Sequence, residues 1–239
     1  MTAILRPRLA TTGLLLLTAS TGAIDAVSYL ALDRVFTGNM TGNVLFLGFA
    51  LMGVGGIPFV NNLVALAGFI AGSILGGRLV GRGHAAGSLP RGSLIGLVGG
   101  AVALVVLTIT WLASGTLGEP VLLVVTALLA VVMGTQVSAV KPIGNSDITT
   151  IVVTNTIANL ARDSRLGGGH GQRWVQRLLA IVCMGLGAVV GAGAISLAAG
   201  AVSLALATGI FAAAVVVLGL AARSARKDAA ARRAEERAE

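Results

Sequence analysis

Charged residues are scarce in this 239-residue chain: they make up 11% of it, against about 25% in soluble domains. Aromatic residues reach only 4%, whereas 56% of the chain is hydrophobic. This composition excludes an ordinary soluble domain and predicts a polytopic membrane protein. The net charge of +8 comes from basic residues that lie between and after the apolar runs. They therefore indicate membrane orientation rather than nucleic-acid binding.

Cysteine and histidine are almost absent. The single Cys183 excludes an intramolecular disulfide, and its place in an apolar run is typical of a small core residue. His84 and His170 lie in basic loops without a Cys, Asp or Glu cluster, so we predict neither a metal site nor a cofactor. The apolar runs contain no nucleophile–base pair, so we do not expect an enzyme.

Eight apolar segments follow one another, and a highly charged cytoplasmic tail, 223–239, comes last. A helix needs about 20 residues to cross the hydrocarbon core. Six segments approach or exceed that length: 12–32, 63–79, 93–112, 121–140, 174–197 and 201–222. The other two, 39–51 and 148–160, would reach only about 20 Å as helices. Arg6 and Arg8 before a leucine run resemble a signal peptide, but the apolar run continues to Leu32, so we expect a retained first helix.

A polar, glycine-containing break precedes each short segment. The first break covers 37–43 (TGNMTGN) and the second covers 141–147 (KPIGNSD). Asn and Thr are good helix caps and glycine permits a turn, but lipid tolerates such a break only where protein or water surrounds it. We therefore predict two short re-entrant or broken helices whose N-termini point into the membrane.

The basic residues distinguish two topologies. If all eight segments crossed, 12 of the 17 basic residues would share a side with the tail. If the short segments enter and leave by one face, 16 share that side and only Arg34 lies opposite. The positive-inside rule favours this second topology, with six crossings and both termini cytoplasmic. It predicts an all-α membrane domain, 1–222, containing an inverted internal repeat of about 12–114 and 119–222.

We predict a polar site near the midplane, where the two breaks would meet. Two helix N-termini there would favour an anion or a neutral polar solute over a bare cation. Within a span, Asp25 costs about 2.5–3.5 kcal/mol, so it serves either proton coupling or the capping of a broken helix. The same two interpretations, solute binding or capping alone, apply to all the predicted site residues: Asp25, Asn39, Thr41, Asn43, Asn145, Asp147 and Thr149.

Several of these segments together resemble a known family. They are 22–29, the 37–43 run, Gly134-x-Gln136 and the threonine-rich 149–159, and the most specific is TGNxTGN after Gly-x-x-Asp. The chain resembles the YoaK family of small bacterial proteins, which is grouped under a domain of unknown function, over about 12–222. The resemblance implies a multi-pass protein of the inner (plasma) membrane with about six spans, and it implies no substrate. Asn155 departs from the first-half pattern, where a glycine would match.

The sequence therefore predicts a small-solute transporter or channel-like permease, whose partners are the lipid bilayer and an unidentified solute. The alternative is a membrane scaffold that binds other helices through glycine faces. Glycine recurs every four residues at Gly68, Gly72 and Gly76, and again at Gly187 and Gly191. The same faces could also join two copies of the chain.

Overall fold

The computed structural model describes residues 4–32, 34–144, 153–171 and 173–236. Six of the helices in these ranges are long and apolar enough to cross a membrane, whereas α2 and α6 have 12 and 10 residues. This confirms the all-α fold with six spans and two short helices. The described helices are α1 (Pro7–Ala31), α2 (Met40–Leu51), α3 (Phe59–Val80), α4 (Arg91–Ser114), α5 (Glu119–Val140), α6 (Val153–Arg162), α7 (Trp174–Leu197) and α8 (Gly200–Glu235).

Large apolar side chains lie on both the inside and the outside of the bundle. The core is formed mainly by α1, α4, α5 and α8, with Leu17, Leu104, Leu129 and Phe211 fully buried. The outer faces of α3 and α7 also carry many exposed Leu, Ile and Val side chains. Such a surface is stable only against lipid, because water would disfavour so large an apolar area.

The helices α3 and α5 touch along a line of glycines. A methyl group added to any of these α3 glycines would crowd a successive carbonyl oxygen of α5: Gly68 against Ala127 O, Gly72 against Val131 O and Gly76 against Thr135 O. Only glycine allows backbones to approach this closely. Because the residue numbers rise together on both helices, α3 and α5 run parallel.

The helices α1 and α7 make the same contact, also in parallel. A methyl group on an α7 glycine would crowd a carbonyl of α1. In the same way, one glycine of α1 approaches a carbonyl of α7, and one glycine of α5 approaches a carbonyl of α3. Equivalent residues differ in number by 115 between α3 and α7 and by 112 between α1 and α5. The equivalent contacts are Gly72–Val131 with Gly187–Ala19, Gly76–Thr135 with Gly191–Ala23, and Gly134–Phe69 with Gly22–Met184.

The remaining contacts fix the direction of every long helix. Residue numbers run in opposite senses where α8 packs on α1 and on α4, and where α4 packs on α5. Consequently α1, α4 and α7 point one way, and α3, α5 and α8 point the other way. The contacts that carry this are Gly13–Leu218 and Ser20–Ala207, Gly100–Phe211 and Thr108–Thr208, and Gly96–Thr135 and Gly100–Val132.

This alternation means that neither short helix adds a crossing. Because α1 and α3 are antiparallel, the chain leaves α1 and enters α3 at one end of the bundle, which we call the distal end. Because α5 and α7 are antiparallel, α6 likewise lies between two chain passages at the other end. The start of α1 and the end of α8 meet at that other end, the termini end, where Arg6 pairs with Asp228 at 3.1 Å.

The predicted glycine faces are buried between helices of the same chain. Gly72, Gly76, Gly187 and Gly191 are all buried. The two α3 glycines pack against α5, and the two α7 glycines pack against α1. These faces are therefore not available to a second protein, and a homo-oligomer remains a prediction that needs another surface.

Candidate functional site

The first break is held by Asp25, which is buried in α1 with 7% of its surface exposed. Its Oδ1 accepts hydrogen bonds from Thr37 N at 3.1 Å and from Gly38 N at 2.7 Å. Both donors precede α2 and have no helical partner of their own. The carboxylate therefore stabilises the chain exactly where it re-enters the bundle, because ionised acceptors make strong hydrogen bonds with amide groups.

Gly38 permits this close approach. A methyl group at Gly38 would lie 3.1 Å from Thr21 Cγ2 and 3.2 Å from Asp25 Oδ2. These distances are tighter than nearly all side-chain contacts, so a larger residue would push the segment away from α1. The glycine of the TGN run is thus needed where the backbone meets α1.

Asn43 closes the break from the other side. Its Oδ1 accepts from Phe36 N at 3.0 Å, and its Nδ2 donates to Phe36 O. The ring of Phe36 in turn stacks on Tyr29 of α1, with ring centroids 4.9 Å apart. This two-point hydrogen bond fastens α2 to the extended segment before it, and the aromatic pair fastens that segment to α1.

The structure separates the predicted residues of the first half by role. Asp25 and Asn43 are buried and bind backbone, whereas Asn39 and Thr41 are exposed. Asn39 is the N-cap of α2, and its side chain accepts from Gly42 N at 3.4 Å. Three of the four predicted residues thus form hydrogen bonds with the backbone around the break. The remaining predicted residues, Asn145, Asp147 and Thr149, lie outside the described residues.

The first break lies about halfway between the distal end of α1 and its middle. Asp25 is six residues before the end of α1, which is about 9 Å in a helix about 37 Å long. The chain re-enters only to this depth before α2 begins at Met40. The contact with Asp25, which is distant in sequence, sets how far the chain returns into the bundle, and the midplane position of the site stays a prediction.

A polar contact between α1 and α5 lies deeper in the bundle than the break. Gln136 Nε2 donates to Thr21 Oγ1 at 3.1 Å, one turn from Asp25. Gln136 is 1% exposed, and its Oε1 has no hydrogen-bond partner. An unpaired buried carbonyl costs about 1–3 kcal/mol. Gln136 is not among the predicted site residues, and no sequence pattern indicates its unpaired oxygen, which depends on the packing of α1 against α5.

The second half has no acid at the position equivalent to Asp25. The 112-residue shift between α1 and α5 places Val137 there. At the termini end, the chain leaves α5 through a 3-10 turn, Lys141–Ile143, and Gly144 adopts a left-handed conformation with φ 65°. The described part of the second break is therefore built from different residues than the first.

An ion-pair cluster fastens α6 to α7. Arg177 Nη1 donates to Asp163 Oδ2 and to Asn159 O, each at 2.8 Å. Asp163 Oδ1 also accepts from Arg162 Nε at 2.9 Å. The hydrogen bond from Arg162 and then that from Arg177 hold the pKa of Asp163 below its usual value. The cluster lies at the termini end and involves none of the predicted site residues.

Metal ligands do not cluster in the part of the chain that the structure describes. No three His, Cys, Asp or Glu side chains come together there. The site at the first break therefore offers backbone N–H groups, one carboxylate and amides. In general, amide groups of this kind donate hydrogen bonds to polar solutes or anions, and a carboxylate can carry a proton.

These features together define an integral membrane protein of six candidate spans with a polar break beside a buried acid. The family model described as "Protein of unknown function (DUF1275)" matches residues 13–217, and the chain belongs to this family. It is 32% identical over 148 residues to the UPF0700 transmembrane protein YoaK of Bacillus subtilis (strain 168). That alignment covers 62% of this chain and 64% of the relative, so it spans less than two thirds of the relative's length. No solved structure matches the chain.

Proposed function

We propose that the chain is a small-solute permease built as an inverted repeat, and that an anion crosses together with a proton carried by Asp25. The observation that carries the proposal is the pair of hydrogen bonds from Thr37 N and Gly38 N to Asp25. The carboxylate occupies the N–H groups in front of α2 as an internal anion. A free anion would use the same donors.

Exchange between the Asp25 carboxylate and the solute anion would couple solute movement to proton movement. When Asp25 takes up a proton, it loses its charge and accepts these hydrogen bonds more weakly. The N–H groups and the partial positive charge at the start of α2 then become available to a solute anion. Deprotonation expels the solute because the carboxylate competes for the same donors. Proton and anion would therefore move in the same direction.

The helix directions support the inverted repeat. Each long helix of the first half points opposite to its equivalent in the second half, as midplane-related transporter repeats do. The route between the two breaks would pass Thr21 and Gln136, whose free Oε1 is an acceptor for a solute hydroxyl or amide. Every described basic residue except Arg34 lies at the termini end. We propose that this end faces the cytoplasm of a bacterial inner membrane.

We also propose transport rather than catalysis or scaffolding. The glycine faces on which a scaffold would depend are already used within the chain. The polar groups at the break form no nucleophile–base pair among the described residues.

The test is flux into proteoliposomes with small anions, weak acids and neutral polar solutes, each with and without an inward proton gradient. We expect uptake of an anion or weak acid that the gradient accelerates. The Asp25→Asn variant should bind the solute anion without taking up a proton, so its solute flux should be lost or become independent of pH. Thr108→Val is the matched control, because it removes a buried hydroxyl that bonds Thr208 between α4 and α8, two helices that carry no residue of the break. No uptake above protein-free liposomes, or a normal pH dependence in Asp25→Asn, would contradict the proposal.

A further inference from the structure

A cavity lined by several basic residues opens at the termini end, away from the first break. It has a volume of about 820 Å³ and lies between the ends of α3 and α5. Four basic side chains line it: Arg78, Arg82, His84 and Lys141. Among the residues that the structure describes, none that lines the cavity is acidic. The cavity therefore concentrates positive charge at the place where the helices emerge from the bundle.

This charge exceeds what the helix ends require. A helix C-terminus carries about half a negative charge, so α3 and α5 together supply about one. Arg78, Arg82 and Lys141 supply three positive charges, and the ion pairs between described residues involve none of them. The His84 ring already contacts Val80 O at the end of α3. About two positive charges remain for a ligand.

The shape of the cavity adds a second requirement. On one side it continues along the outer face of α3, where Ile74 is 51% exposed and a methyl group on Gly77 would meet nothing within 4 Å. The hydroxyl hydrogens of its two serines are already used: Ser73 donates to Gly134 O and Ser138 donates to Ser73 O. The donors available to a ligand are thus the arginines and the lysine, beside an apolar groove.

We propose that this cavity binds a phosphate group, carried by an anionic membrane lipid or free in solution. Guanidinium groups match phosphate oxygens with paired hydrogen bonds. The groove beside them would accommodate an acyl chain, and basic pockets between membrane helices are suited to anionic head groups. The site does not depend on transport.

The experiment measures binding to the full chain in neutral detergent. Native mass spectrometry would compare phosphatidylglycerol with phosphatidylcholine, and thermal unfolding would compare inorganic phosphate with chloride at equal ionic strength. We expect phosphatidylglycerol to bind at least tenfold more tightly than phosphatidylcholine. The double variant Arg78→Gln/Arg82→Gln should lose at least tenfold of that affinity. It should still unfold at the normal temperature, because both side chains are exposed.

The matched control is Arg165→Gln/Arg223→Gln, which removes the same charge from exposed positions outside the cavity. Its affinity should stay normal. Stabilisation by inorganic phosphate, lost in the cavity variant but not in the control, would identify free phosphate as the source. Lipid binding lost in the same selective way identifies the lipid. If neither ligand binds, or if both variants behave alike, the site is overturned.

Discussion

The two parallel helix pairs, α1–α7 and α3–α5, have the same backbone packing and different polar chemistry. Gly187 meets Ala19 in one pair as Gly72 meets Val131 in the other. At equivalent positions, however, α1 carries Asp25 and α5 carries Val137. The close backbone contact tolerates only glycine, so it constrains both halves alike. The acid serves a single break, so the functional chemistry is free to differ between the halves.

A second pair of equivalent positions differs in the same way. The 115-residue shift from α3 to α7 relates Asn62 to Arg177. Asn62, at the distal end, donates to Pro58 O at 2.8 Å, whereas Arg177, at the termini end, binds Asp163. Both side chains fasten the start of a span, but only the one at the termini end is charged. The same structural position therefore carries a different side chain at each end of the bundle.

The largest effect should come from the shared packing. Gly72→Ala and Gly187→Ala each place a methyl group onto a carbonyl oxygen of the neighbouring helix. Overpacking usually costs about 1–3 kcal/mol, and a backbone that has to move raises the cost to about 3 kcal/mol or more. We expect both variants to lose most of their folded yield, measured as monodisperse protein in detergent.

The controls are Gly77→Ala and Gly185→Ala on the same two helices, where an added methyl group meets nothing within 4 Å. They should express and unfold normally. If Gly72→Ala fails and Gly187→Ala does not, the two pairs are not equivalent. Normal yield in both would contradict the close contact.

The next effect should separate the halves. Asp25→Ala leaves Thr37 N and Gly38 N without an acceptor, and each unpaired buried donor costs about 1–3 kcal/mol. We expect a loss of roughly 2–4 kcal/mol in the free energy of unfolding. Val137→Ala, at the equivalent position, should cost about 1 kcal/mol or less because Val137 is only half-buried. If denaturant titrations gave both variants the same loss in the free energy of unfolding, the two halves would not differ at this position.

Gln136 should show a smaller effect on stability and a large one on transport. Gln136→Leu removes one hydrogen bond to Thr21 and also removes an unpaired buried oxygen. These changes offset each other, so stability should change by less than about 1 kcal/mol. Flux in proteoliposomes should fall sharply if the oxygen contacts solute. Unchanged flux with lowered stability would instead give Gln136 a structural role only.

The smallest effect concerns the ion-pair cluster of Asp163, Arg162 and Arg177 at the termini end. The pKa of Asp163 is lowered by its hydrogen bonds with Arg162 and then Arg177. Its carboxylate therefore stabilises the fold above its unfolded pKa of about 3.9, and this contribution disappears as pH falls through the folded pKa. Asp163→Asn should lower the unfolding temperature slightly at pH 7, and the difference from wild type should vanish in acid. A constant difference between pH 7 and pH 3 would contradict this account.

Local patterns in the sequence predicted much of the fold. Apolar length predicted the six spans, and the TGN run predicted the start of α2 to within one residue. The helices that pack on the glycine faces could not be predicted, because Gly72 and Val131 are far apart in sequence. From the sequence alone, any of the other spans is an equally good partner for α3. The depth of the first break depends likewise on the contact between Gly38 and Asp25. Long-range backbone contacts, rather than local propensity, determined both.

The central claim is that the two halves share one scaffold in opposite orientations. Cysteines at His84 and Ala199 test it most directly, because these exposed residues occupy equivalent connections, α3–α4 and α7–α8, related by the same 115-residue shift. In a Cys183→Ser background, an impermeant thiol reagent should label Ala199→Cys, and also Thr116→Cys at the distal end, from outside the cell. His84→Cys should be labelled only after the membrane is opened. Labelling of His84→Cys and Ala199→Cys from the same side would contradict the inverted repeat.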